Sequence, residues 1–146
     1  MKNLYVLVIL LGTSLAGNAQ VGKDSGNISA ADSAFLEKTI FTKVEVEANF
    51  PGGDAAWRRY LQINLNASTP AKHQAPAGKY EVIVRFVVRR DGSISDVVAE
   101  TTHGYGVEDE AIRIIKNGPK WIPGMQNGHT VNCYRRQPIT FVVEGN

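Results

Sequence analysis

Residues 78–102, GKYEVIVRFVVRRDGSISDVVAETT, constrain the fold more than any other stretch. Tyr80, Val82, Val84, Phe86 and Val88 alternate, so an extended chain puts all five on one face. Glu81, Arg85 and Arg89 share the other face with Ile83 and Val87. Asp91-Gly92 supplies a turn, because glycine takes a positive φ without steric cost. The returning run carries Ile94, Val97 and Val98, and its imperfect alternation leaves room for a bulge. The stretch therefore predicts a β-hairpin with one strongly apolar face, which a second layer has to cover.

Two helical segments can provide that layer. In DAAWRRYLQINLN, Asp54 suits a cap or a first turn, where its charge complements the helix dipole. Trp57, Tyr60, Leu61 and Leu65 fall on one face, and packing is the expected role of Trp57. In HGYGVEDEAIRIIKNGP, Glu108, Asp109 and Glu110 load the first turn with negative charge, expected to be exposed and helix-stabilising. Val107, Ala111, Ile114 and Ile115 form the apolar stripe. Asn117-Gly118 ends the helix and Pro119 forbids its continuation. GPKWIPGMQNG follows as a shaping loop: Trp121 is expected to pin it to the core, and Asn127-Gly128 to turn it into the last strand. That strand, HTVNCYRRQPITFVVEG, places Val131, Cys133, Ile139, Phe141 and Val143 on one parity. Asn132, Tyr134, Arg136, Pro138 and Thr140 take the other. A short strand or extended arm precedes the first helix, around Val44 and Val46. The predicted class is α+β, a two-layer sandwich with a three-stranded antiparallel sheet and two helices on one face.

The N-terminus has a different character. MKNLYVLVILLGTSLAGNAQ has one Lys, an apolar run and small residues up to Ala19-Gln20, which is a secretory signal pattern. Residues 1–19 are expected to be a cleaved signal peptide, residues 20–43 a flexible leader, and residues 44–146 the folded domain. An uncleaved signal tethering the protein to the inner membrane is the alternative. Either route places the domain outside the cytoplasm, in the periplasm.

Charge and chemistry exclude much. The net charge is +2, and Lys2 is the only charge of the signal, so the mature chain carries one positive charge fewer. No basic stripe is present, which argues against nucleic acid. The single cysteine, Cys133, cannot form an internal disulfide. In a strand, His129 and Cys133 lie roughly 13 Å apart, far beyond the reach a nucleophile and its base need. His73, His103 and His129 are scattered without zinc-ligand spacing. The glycines of HGYG precede acidic residues, which would repel a phosphate. The expectation is a non-catalytic protein without metal or cofactor.

Four stretches, FPGGDAAWRRYL, VIVRFVVRRDGSISDV, HGYGVEDEAIRIIKNGPKWIPGMQNG and QPITFVV, resemble the C-terminal domain of TonB, in the form common among Bacteroidetes-type energy transducers. The resemblance covers about residues 50–143 in the family's order. It implies a two-helix, three-stranded domain that recognises the TonB-box peptide of outer-membrane receptors in TonB-dependent transport. It also brings inner-membrane motor proteins into view as partners. A full-length TonB has a long membrane helix with a functional His and a Pro-rich spacer. Here the apolar segment is short and has no His, and residues 20–43 contain no Pro. An envelope adaptor or structural protein, bound to peptidoglycan or an assembly partner without energy transduction, is the alternative.

Proline cannot donate to a ladder, so Pro138 assigns the last strand to a sheet edge. Tyr134, Arg136, Thr140 and Val142 then share the outward side with it. An extended peptide can add there as a further strand, with Asn132, Cys133, Tyr134, Arg135 and Arg136 as the favoured stretch and Thr140 and Val142 beyond the proline. The alternative is that proline and arginine merely guard the edge against aggregation. A free edge also invites a second copy of the chain, a homodimer.

Overall fold

The computed structural model describes residues 28–145, and the signal peptide expected over residues 1–19 lies outside them. The elements run α1 (Ala30–Lys38), β1 (Ile40–Phe41), α2 (Gly53–Asn64), α3 (Thr69–Lys72), β2 (Gly78–Val88), β3 (Ile94–Ala99), α4 (Val107–Lys116), β4 (Gly124–Gln126) and β5 (His129–Val143). The strand order is β1-β5-β2-β3, with β4 paired to β5. The expected three antiparallel strands are the body of this sheet, and β1 and β4 are short additions.

The two strands read from alternation form the longest ladder, from Gly78↔Val143 to Val88↔Cys133. Even-numbered residues of β2 and odd-numbered residues of β5 face the helices. Val82, Val84, Phe86, Val88, Ile139 and Phe141 join Trp57 of α2 and Val107, Ala111, Ile114 and Ile115 of α4 in one buried cluster. At about 25 cal/mol per Å² of apolar surface removed from water, this shared layer dominates the stability of the fold. The Tyr60 hydroxyl donates to the Ile114 carbonyl at 2.9 Å and ties α2 to α4.

The expected bulge is present in the hairpin. Arg85 pairs with Val98 but Val87 pairs with Ser95, so β3 carries one extra residue, with Asp96 at φ 52°. Gly92 closes the turn at φ 81°. Trp121 N–H donates to the Gly92 carbonyl at 2.8 Å, and a Cβ at Gly92 would stand 2.3 Å from the Trp121 oxygen. The loop after α4 is thus locked onto the hairpin turn. The Trp121 ring is 3% exposed and meets Phe86, Phe50 and Trp57 at centroid distances of 4.9, 5.6 and 6.0 Å. Asn127 and Gly128 both adopt positive φ, the two-residue turn that matches strand twist.

Two expectations need correction. The leader read as flexible over residues 20–43 is ordered from Ser29 onward. Ser29 caps α1 by accepting from Asp32 N–H at 3.1 Å, and β1 follows. Its small polar residues carry no apolar period because α1 buries none of its residues; the side chains that hold it are Asn132 of β5 and Arg90 after β2. The second correction concerns Glu110, read as an exposed first-turn charge. It is 8% exposed. Its carboxylate accepts from Asn66 N–H at 2.7 Å and from Arg113 at 2.6 and 2.8 Å, joining the chain after α2 to α4. The Arg113 hydrogen bond is the main reason its pKa lies below the usual carboxylate range.

Candidate functional site: the outer rim of the last strand

Backbone polarity defines the site. The Ile83 carbonyl accepts from Glu100 N–H at 2.8 Å and Ile83 N–H donates to Thr101 Oγ1 at 3.2 Å. Both polar groups of Ile83 therefore face β3, away from its β5 partner Pro138. In an antiparallel ladder such pairs alternate with hydrogen-bonded ones. The odd residues of β5 consequently bond to β2. Tyr134, Arg136, Thr140 and Val142 turn their N–H and C=O groups to the outer side, and Pro138 offers only its carbonyl there. The missing proline N–H costs the β2–β5 ladder nothing.

This rim is not free along its whole length. β1 lies parallel to β5 with Ile40 opposite Asn132 and Phe41 opposite Cys133. The expected stretch Asn132–Arg136 is therefore occupied at its start. The Asn132 side chain is buried and spent on structure. Its Nδ2 donates to the carbonyls of Leu36, Glu37 and Thr39 at 3.1, 2.9 and 3.4 Å, and its Oδ1 accepts from Arg90 N–H at 3.0 Å. Cys133 points into the core, where a side chain at Gly124 would stand 2.6 Å from its sulfur. Burial pushes its thiol pKa up. The same parallel register sets the Tyr134 N–H against the Phe41 carbonyl; beyond that contact, β5 pairs only with β2 among the described residues as far as Val143.

The side chains beside the open rim form one network. The Arg85 guanidinium lies 4.9 Å from the Tyr134 ring centroid, a cation–π contact. Arg85 also reaches Glu100 at 3.0 Å. Arg136 binds the same carboxylate with two hydrogen bonds, 2.6 and 3.0 Å. The hydrogen bond from Arg136 is the largest cause of the lowered Glu100 pKa. Arg135 faces the other way and pairs with Glu47, so neither its backbone nor its side chain joins the rim. Pro138, Thr140 and Val142 are exposed, Val142 at 58%. Of the seven residues read as the binding edge, Arg136, Thr140 and Val142 lie together on the open rim, and Tyr134 offers its carbonyl there while its N–H faces β1. The structure assigns Asn132, Cys133 and Arg135 to other contacts. Arg85 and Glu100 were missed, and the only sequence signal for them was that Arg85 shares a strand face with Arg89.

The other end of the sheet differs. β3 is also an edge, but its bulge at Asp96 breaks the regular ladder geometry a guest strand needs. Its outer side is the poorer docking rail.

Among the described residues no helix is long and apolar enough to cross a membrane, and no three His, Cys, Asp or Glu side chains gather as a metal-binding group. A family model described as the Gram-negative bacterial TonB protein C-terminal matches residues 70–143, from α3 through the end of β5. No curated protein and no solved structure matches the chain.

Proposed function

From the premise that the chain belongs to the TonB C-terminal family, we propose that it is a periplasmic, non-catalytic module that binds outer-membrane receptor segments by strand addition on the outer rim of β5. The receptor's box segment is the guest. Its backbone pairs with Tyr134 and Arg136 on one side of Pro138 and with Thr140 and Val142 on the other. The Arg85–Glu100–Arg136 network lies beside it.

The observation that carries this reading is β1. It is an extended segment already seated on the outer side of β5, in parallel register, immediately next to the open stretch. The rim thus accepts an added strand within its own chain. Each main-chain hydrogen bond to a guest contributes about 0.5–1.5 kcal/mol net. A handful of them, with side-chain contacts at alternate positions, suits a micromolar and reversible partner.

The test is titration of the full chain with synthetic peptides carrying receptor box segments, followed by calorimetry. Thr140→Pro removes one outward donor and leaves the β2 ladder intact. It should weaken binding about tenfold, the loss of one hydrogen bond and its neighbouring alignment. Equal affinity in the variant would remove β5 as the docking strand.

A further inference from the structure

We infer that α1 and β1 form an intramolecular cover, and that a guest strand has to displace it to use the best part of the β5 rim. This rests on the strand-addition reading and adds its regulation.

The outward-facing residues of β5 fall at alternate positions, and Pro138 interrupts the series. Past Thr130, whose carbonyl accepts from Arg90 Nε at 3.0 Å, the longest uninterrupted run is Asn132, Tyr134 and Arg136. Beyond the proline only Thr140 and Val142 remain. β1 holds the Asn132 position and the Tyr134 N–H. A guest confined to the open rim therefore pairs with two short, separated stretches. One that displaces β1 gains the continuous run.

The cover is built to open. α1 has nine residues and buries none of them. A helix that short does not persist in water by itself. Phe35 is 54% exposed and Ile40 40% exposed. The β1 ladder is two residues long. What holds the segment is polar: the Asn132 amide on three carbonyls, and Arg90 on Glu37 at 2.7 Å, with the Glu37 side chain 65% exposed. Phe41, packed on the edge of the core, keeps the closed state the resting one. Segments with few buried contacts open far more readily than the global fold unfolds. A partner whose site is open only part of the time binds with an affinity reduced by that fraction.

The experiment uses the full chain, the synthetic box peptides and two variants that loosen the cover by different routes. Asn132→Ala deletes the amide clamp. Glu37→Lys sets a positive charge against Arg90 on an exposed surface, so its folding is not at risk. Hydrogen exchange of the amides from Ser33 to Phe41 reads the cover, and calorimetry reads the peptide. In both variants these amides should exchange faster and the peptide should bind about three- to tenfold tighter. In the unaltered chain, saturating peptide should speed the same amides.

Faster exchange with unchanged affinity would overturn the proposal. So would a peptide-bound chain whose Ser33–Phe41 amides stay protected, or two variants in which the exchange does not change. A chain that binds no peptide in any form would instead sink the strand-addition reading, and this proposal with it.

Discussion

Replacing Trp121 by Ala separates a loop that shapes the domain from one that recognises a ligand. The ring is 3% exposed and touches three other aromatic rings, the nearest at 4.9 Å. The backbone hydrogen bond from Trp121 to Gly92 survives the substitution, so the effect reports the side chain alone. Emptying such a site costs about 3–5 kcal/mol, transfer and cavity together. Domains of this size have about 5–15 kcal/mol in total. The melting temperature should therefore fall by roughly 10–20 °C. Urea unfolding followed by circular dichroism is the assay, with the slope expected to match the parent chain. A loss below about 1.5 kcal/mol at unchanged slope would show that the ring does not hold the core. If peptide binding vanished in a variant that is still folded, the loop would be a recognition surface and not a shaping one.

Two further outcomes are expected. Glu110→Gln should cost about 1–3 kcal/mol at neutral pH, because a buried charged acceptor is lost between Asn66 and Arg113. The native pKa of Glu110 is depressed, so its contribution is complete above the ordinary carboxylate range and disappears as pH falls through the native value. The stability gap between parent and variant should thus close on acidification, and an equal gap at neutral and strongly acidic pH would refute it. Cys133 should react with an aromatic disulfide reagent far more slowly in the native chain than in urea, since its thiol is buried and its pKa raised; comparable rates would contradict its place in the core.

Much of the fold was legible because it repeats locally. Alternation in β2 and β5 assigned their faces, and the stripe of α4 named four of its five buried residues. Asn127-Gly128 and Asp91-Gly92 carried their turns in their chemistry. Glu110 was legible and was misread: it lies three residues after Val107 and four before Ile114, on the buried stripe itself. Its neighbours Glu108 and Asp109 hid it, because three adjacent acids look alike until the helical register is applied to each. α1 and β1 were not legible. They bury almost nothing, so they leave no apolar period, and their anchor is a side chain 93 to 96 residues away. Pro138 itself has no partner on its outer side among the described residues, but the expectation of an edge strand needs correction: β5 lies between β1 and β2 in the sheet, and one residue could not show that β1 covers its first part.

Amide hydrogen exchange across β5, in the full chain with and without saturating receptor box peptide, addresses the strand-addition claim most directly. The account predicts that Arg136, Thr140 and Val142 slow together. The odd-numbered amides, already bonded to β2, should hold their rates. Slowing on β3 around Ser95–Val98, or no slowing on β5 in a chain that demonstrably binds the peptide, would contradict it.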